Sequence, residues 1–136
     1  MNILIIDAQG GGMGRQLIAE IKAAFPKTHI TAVGTNSAAT MAMLKAGADQ
    51  AATGENPVIV ASRKADIIVG PVGIVIADSM LGEITEKMAA AVAKSDAVRI
   101  LLPFNQCDNV IVGVPDLNVS VLIKKAVEEI GKVCKE

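Results

Sequence analysis

Six short segments rich in Ile, Val and Leu alternate with stretches of helical periodicity along this chain. The first, Asn2–Asp7, is a continuous apolar run that ends in an acid, which is typical of a central parallel strand buried on both faces. The others are His29–Gly34 and residues 66–70, 98–104 and 109–114, together with a weaker segment at residues 48–53, whose apolar residues are all alanine. This alternation predicts an α/β fold, a three-layer, Rossmann-like, doubly wound and mainly parallel sheet of five or six strands. The length of 136 residues is that of one domain, residues 1–136.

Cap residues and helix breakers place the clearest helices. Pro26 ends a first helix that begins after a glycine-rich loop, and Asn36 or Ser37 caps a second helix that runs to Lys45. The last helix covers residues 118–134, where an apolar stripe lies opposite a face of lysine and glutamate.

Two further helices and a tight connection complete the prediction. Asn56 followed by Pro57 indicates a helix that begins at the proline and runs to Lys64, and Thr85 caps the next helix. The connection at residues 105–108 is too short for a crossover, so we expect the fifth and sixth strands to form an antiparallel edge hairpin.

Charge and aromatic content exclude two classes of partner. The chain has 13 basic and 14 acidic residues, a net charge of -1, and therefore no excess positive charge to hold a nucleic acid or an anionic membrane. Aromatic residues make up 1%, with no Tyr and no Trp, so base-stacking platforms for single strands or RNA are missing as well. We expect neither nucleic acid nor membrane as a partner.

The cysteines, the histidine and the N-terminal sequence point to a reduced, cytoplasmic protein without zinc. Cys107 and Cys134 have neither metal-ligand nor disulfide-framework spacing, and we expect Cys107 to be an unreactive thiol in a polar turn. His29 is the only histidine, which excludes a multi-histidine metal site. The first residues lack the features of a secretory signal, and the longest apolar run, residues 67–77, is too short to span a bilayer.

A glycine-rich loop follows the first strand and opens the first helix. Glycines allow close backbone approach, and exposed N–H groups at a helix start attract phosphate. The spacing matches neither the dinucleotide fingerprint, because Arg15 stands where the third glycine belongs, nor the Walker A pattern. The sequence predicts a phosphate cradle with Arg15 near the anion; the alternative is a tight strand-to-helix turn that needs glycine. The predicted cradle residues are Gln9, Gly10, Gly11, Gly12, Met13, Gly14 and Arg15.

The second strand ends without the acid that usually binds the ribose of a nicotinamide dinucleotide. Thr35 and Asn36 stand there instead, and small hydroxyl and amide groups at a helix N-terminus could bind a 2′-phosphate or a ribose. This favours NADP or a mononucleotide as the ligand. Simple helix capping is an equally good explanation of both residues.

Other polar and glycine residues fall at or just after the carboxyl ends of predicted strands, where ligands bind in open α/β sheets. We expect them to line the far side of the same crevice. If the chain is an enzyme acting on a phosphorylated metabolite, Asp7 or Glu55 would be its acid–base group. The additional predicted site residues are Glu55, Asn56, Gly70, Pro71 and Asp78.

The segment from Val72 to Leu81 is too apolar to be left in water. It is expected to form a short buried helix, a lid over the crevice or the contact of a homo-oligomer. Asp78 within it would be a buried or capping acid.

Five motifs stand out along the chain: Asp7-x-Gln9-Gly10-Gly11-Gly12-x-Gly14, Val33-Gly34-Thr35-Asn36-Ser37, Ala46-Gly47-Ala48-Asp49, Thr53-Gly54-Glu55-Asn56-Pro57 and Ile68-Val69-Gly70-Pro71-x-Gly73. With them the chain resembles, over nearly its whole length, a family of small bacterial proteins known only as a domain of unknown function. The resemblance implies no activity.

Two functional hypotheses remain open. One is a small cytoplasmic protein that binds a nucleotide or another phosphate-bearing small molecule at the glycine loop. The other is a non-catalytic, homo-oligomeric interaction or regulatory protein whose glycine loop is structural and whose contact is the segment from Val72 to Leu81.

Overall fold

The computed structural model describes residues 1–104 and 109–135. The strands are β1 (Asn2–Asp7), β2 (His29–Gly34), β3 (Gln50–Thr53), β4 (Ile67–Pro71) and β5 (Val98–Leu102). The helices are α1 (Gly12–Ala24), α2 (Ser37–Lys45), α3 (Glu55–Ser62), α4 (Glu86–Lys94) and α5 (Val119–Cys134), with a short 3₁₀ helix at Val72–Val75. Cys107 and the predicted connection at residues 105–108 lie outside the described residues.

The five strands form one sheet in the order β3-β2-β1-β4-β5, and each pairing is parallel. Strand β1 is central and its alternate residues enter both cores, as expected for a strand buried on two faces. Ile3 and Ile5 face α1, α2 and α5, whereas Leu4 and Ile6 face α3 and α4. The predicted α/β, three-layer, doubly wound architecture is confirmed.

The prediction of a sixth strand at residues 109–114 is wrong. That stretch forms no strand, and Val110 and Val112 are 88% and 93% exposed, so these apolar side chains have no core to face. Gly113 adopts a positive φ of 82°, and the Val114 N–H bonds the Ile111 carbonyl in a local turn. The described part of the sheet therefore contains no antiparallel hairpin.

Helix α3 begins two residues before the predicted start. Gly54, at φ 111°, is the residue that precedes the helix, and Glu55, Asn56 and Pro57 form its first turn. Asn56 is therefore not the cap. The caps predicted at Asn36 and Thr85 are confirmed, and Asn118, predicted as the first residue of the last helix, caps α5; each side chain accepts a backbone N–H three residues on.

No helix within the two described stretches has the length and apolar character needed to cross a membrane.

Candidate functional site

The sheet changes winding direction between β1 and β4. Helices α1 and α2 leave on one face, and α3 and α4 on the other, so a crevice opens above the carboxyl ends of these two strands. A cavity of about 200 Å³ occupies it. Its lining residues are Asp7, Ala8, Gln9, Gly10, Gly11, Gly12, Met13, Gln16, Pro71, Met80, Phe104 and Val119.

Asp7, at the end of β1, fixes the shape of the glycine loop. One carboxylate oxygen, Oδ1, accepts the Ala8 N–H at 2.8 Å, and Oδ2 accepts the Gly14 N–H at 2.7 Å. The residue is only 5% exposed. Burial raises the pKa of the Asp7 carboxyl; the two hydrogen bonds oppose this shift, and the nearby charge of Glu83 adds to it.

Two glycines of the loop are required by the protein's own packing. Gly11 has φ 73°, and a Cβ there would lie 2.8 Å from the Ala39 Cα. A Cβ on Gly14 would lie 2.6 Å from the Met43 Sδ and 3.0 Å from the Asp7 Cβ. Both positions serve the tight turn and the close packing of α1 on α2.

The other two glycines of the loop have no such requirement. Gly10 and Gly12 do not have a positive φ, and a Cβ built on either meets no atom within 4 Å. Both line the crevice. Their missing side chains leave open space in front of the backbone.

Three backbone amides of the same loop have no acceptor within residues 1–104 and 109–135. They belong to Gly10, Gly12 and Met13, and the last two are the first residues of the 13-residue helix α1. The positive end of a helix dipole adds to the field there. The loop therefore presents donors, open space and a favourable potential to an anion.

Glu83 reaches this edge of the sheet from the β4–α4 connection. Its Oε1 accepts three hydrogen bonds, from the Gln9 N–H at 3.0 Å, the Thr35 hydroxyl at 2.6 Å and the Asn36 side-chain amide at 2.7 Å. Partial burial alone raises the pKa of the Glu83 carboxyl, but these bonds favour the charged form and together lower its pKa.

The connection that carries Glu83 is a tight turn in an unusual conformation. Asp78, Met80 and Leu81 all have φ between 57° and 64°, a region that costs a non-glycine residue about 1–2 kcal/mol. The Asp78 N–H bonds the Ile84 carbonyl at 2.7 Å. Left-handed residues of this kind cluster at functional sites, where surrounding structure holds them in place.

The segment from Val72 to Leu81 contains the expected short helix. Gly73 and Ile74 of the 3₁₀ helix are buried, as are Ser79 and Met80, whereas Leu81 is exposed. The expectation of a buried or capping Asp78 is wrong, because Asp78 is exposed within the left-handed turn and its carboxylate accepts no backbone N–H of the described residues.

The predicted site residues fall into three groups. Those that line the crevice are Gln9, Gly10, Gly11, Gly12, Met13 and Pro71. Those that serve packing or hydrogen bonding beside it are Gly14, Thr35, Asn36 and Gly70. Those that do not line it are Arg15, Glu55, Asn56 and Asp78. Arg15 is exposed on α1, so its charge faces solvent rather than the cavity.

Sequence reasoning missed Glu83 and the apolar wall formed by Met80, Phe104 and Val119. Phe104 and Val119 follow β5 and begin α5, and neither carries a chemical group that marks a site. A signal for Glu83 did exist, because this acid closely follows the apolar segment from Val72 to Leu81, which itself follows β4. Only the folded chain shows that this segment crosses to the end of β2.

A second cavity of about 350 Å³ lies at the side of the sheet between α3 and strands β2 and β3. Its walls are mainly apolar, with Ala51, Pro57, Val60 and Ala61 among them. It contains none of the predicted site residues. Within the described part of the chain, no three His, Cys, Asp or Glu side chains group in a way that could hold a metal ion.

Comparison with known proteins identifies a family. The sequence model of the domain of unknown function DUF3842 matches residues 2–135. No functionally curated protein matches the chain. Among solved structures, a dodecameric FMN-dependent UbiX-like decarboxylase from Escherichia coli O157:H7 is similar, with 15% sequence identity and a TM-score of 0.47 over 96% of this chain and 76% of that one. The chain belongs to the DUF3842 family.

Proposed function

We propose that this member of the DUF3842 family binds a phosphate-bearing small molecule, of the nucleotide class, in the crevice above β1 and β4. The phosphate lies on the amides of Gly10, Gly12 and Met13. The observation that carries the proposal is the pair Gly10 and Gly12, whose missing side chains the protein's own packing does not require.

The chemistry of the loop supports an anion rather than a neutral group. Three amides without acceptors converge on the N-terminus of α1, where backbone donors and the helix dipole favour negative charge. The carboxylates of Asp7 and Glu83 lie nearby, but each already accepts backbone N–H groups. Those bonds partly balance the charges that would otherwise repel a phosphate.

The rest of the crevice supports an organic phosphate rather than the free ion. Pro71, Met80, Phe104 and Val119 form an apolar wall opposite the loop. A cavity with one polar corner and apolar walls fits a small molecule that carries both kinds of surface.

Native mass spectrometry of gently purified protein is the first test. We expect a mass increment, relative to the denatured chain, that matches a phosphorylated compound. Because the chain has no Trp or Tyr, a bound nucleobase would also dominate the absorbance near 260 nm.

Two variants locate the ligand. Gly10→Ala and Gly12→Ala place a methyl group in the open space before the amides and should weaken binding at least tenfold without unfolding the chain. Gly131→Ala, a glycine of α5 that does not line the crevice, is the matched control. Equal affinity of all three variants and the wild type would remove the loop from the site.

A homo-oligomer with its contact at the segment from Val72 to Leu81 is the second candidate. Leu81 favours it, because a 96% exposed apolar side chain stands here on a left-handed residue that costs the fold free energy, and a contact with a second copy would bury that side chain. The two proposals are compatible, because an oligomer could complete the crevice.

A further inference from the structure

We propose that Glu83 selects a nucleotide whose ribose carries a free 2′-hydroxyl and excludes one with a 2′-phosphate. The inference rests on the proposed phosphate site at the glycine loop and names the ligand class that this site accepts. The sequence alone favours NADP, because no acid follows the second strand. In the folded chain the Glu83 carboxylate lies at that position, bonded to Thr35 and Asn36, and the expected preference is therefore reversed.

The hydrogen-bond donors at the end of β2 already bond other groups of the protein. Asn36 uses one side-chain amide hydrogen for Glu83 Oε1 and the other for the Gln9 carbonyl, at 2.7 and 2.9 Å. Its Oδ1 accepts the Ala39 N–H at 2.9 Å. The side chain of Asn36 therefore has no free donor for a ligand phosphate.

The hydroxyl of Thr35 also has its hydrogen bonded within the protein. Its hydroxyl donates to Glu83 Oε1 at 2.6 Å. The backbone N–H of Gln9, the third donor at this point, bonds the same oxygen at 3.0 Å. Three donors that could have formed a 2′-phosphate site instead hold one carboxylate oxygen.

The second oxygen of Glu83 has no partner within the described residues. A carboxylate at the end of the second strand is the group that accepts the ribose hydroxyl in dinucleotide-binding folds. Here the strand lacks that acid, and the β4–α4 connection supplies it across a separation of 48 residues from Thr35. The free oxygen can accept a ribose hydroxyl, whereas a phosphate in its place would meet like charge.

The position of the carboxylate fits the reach of a nucleotide bound at the loop. Gln9, which donates to Glu83, also lines the cavity beside Gly10. Asp7 and Gly34, the last residues of β1 and β2, are paired in register, so the loop and the end of β2 are adjacent. The ribose of a 5′-phosphate held at the loop would extend toward Glu83, which lies one hydrogen bond beyond Gln9.

The test compares two ligands that differ only at the 2′ position, adenosine 5′-monophosphate and adenosine 2′,5′-bisphosphate, by calorimetry with the intact chain. We expect the wild type to bind the monophosphate at least tenfold more tightly. Glu83→Gln keeps the size and an acceptor for the three donors but removes the charge, and should reduce this preference at least fivefold. Glu86→Gln, the same change at an exposed acid three residues further on, should leave it unchanged.

Two results would overturn the inference and leave the phosphate site intact. One is a wild type that binds the bisphosphate as tightly as the monophosphate, or that binds ribose 5-phosphate but neither adenosine ligand. The other is a Glu83→Gln variant, folded by circular dichroism, that keeps the full preference. If the wild type binds none of the three compounds and no inorganic phosphate, the proposed function itself fails.

Discussion

The carboxylate of Glu83 accepts a 2.7 Å hydrogen bond from the side chain of Asn36, which lies 47 residues earlier in the chain. The β4–α4 connection is thereby joined to the cap of α2, across the end of the central strand. The same oxygen bonds the backbone of Gln9, so the glycine loop, the end of β2 and this connection form one hydrogen-bonded unit. We therefore expect a substitution in any of these three segments to alter the shape of the crevice.

The acid range of pH should reveal the Glu83 network. Its pKa is lower in the folded chain than in the unfolded one, so its contribution to stability is complete above the ordinary glutamate pKa of about 4.3 and is lost as the pH falls through the lower folded value. Glu83→Gln abolishes this titration. We expect the difference in unfolding free energy between wild type and variant to be constant near pH 7 and to shrink below about pH 4.3. Urea titrations at a series of pH values measure it, and a difference that grows on acidification would contradict the assignment.

Gly70 should prove essential to folding although it was predicted to belong to the site. A Cβ there would lie 2.6 Å from the backbone carbonyl oxygen of Ile6, which a fully buried strand cannot move. We expect Gly70→Ala to reduce the unfolding free energy by about 1–3 kcal/mol or more. Gly12→Ala, at an open position, should leave it unchanged or slightly raised. Thermal unfolding without ligand compares the two, and equal loss in both would show that space is not the cause.

Leu81 and Val75 should respond differently to a charge. Val75 packs against the core under α3 and α4, so Val75→Asp is expected to unfold the chain. Leu81 is 96% exposed at φ 59°, a conformation that aspartate adopts more readily than leucine. Leu81→Asp should therefore fold and convert an oligomer into a monomer in sedimentation velocity. A folded variant with the wild-type mass would exclude this surface as the contact.

Ser62 should be a site where a substitution stabilises the fold. The residue is 3% exposed, and its hydroxyl has no hydrogen-bond partner in the described structure. Alanine removes the unsatisfied group and favours the helix, so Ser62→Ala should raise the unfolding free energy by roughly 1 kcal/mol. Ser95→Ala is the contrasting variant, because its hydroxyl donates to the Ser62 carbonyl at 2.6 Å. We expect that change to destabilise, and a loss of stability in both would contradict the explanation.

The sequence predicted the parts of the fold that depend on local patterns. The bounds of β1 and β2 and the caps at Asn36 and Thr85 follow from neighbouring residues, so they could be read from the sequence. The false strand at residues 109–114 had the β-branched composition of a strand. Whether a core lies beside such a segment is a tertiary property that local composition does not contain.

The lining of the crevice was predicted in part for the same reason. Gln9 to Met13 line the crevice because a glycine-rich turn after a central strand has few places to lie. Glu55 and Asn56 do not, because the early start at Gly54 turns them into the first turn of α3. Glu83 enters only through a turn with left-handed Asp78 and Met80, residues whose types give no sign of that conformation.

The hydrogen bond that Asp7 accepts from the Gly14 N–H has a kinetic consequence. Its carboxylate closes a ring of eight residues with the chain's own hydrogen bonds, so the loop is ordered before any ligand arrives. An incoming molecule does not have to organise the backbone, and little conformational freedom is lost on association. For a ligand bound as proposed, rearrangement of the loop would therefore not limit the association rate, and differences in affinity among ligands would reside in how slowly each one leaves.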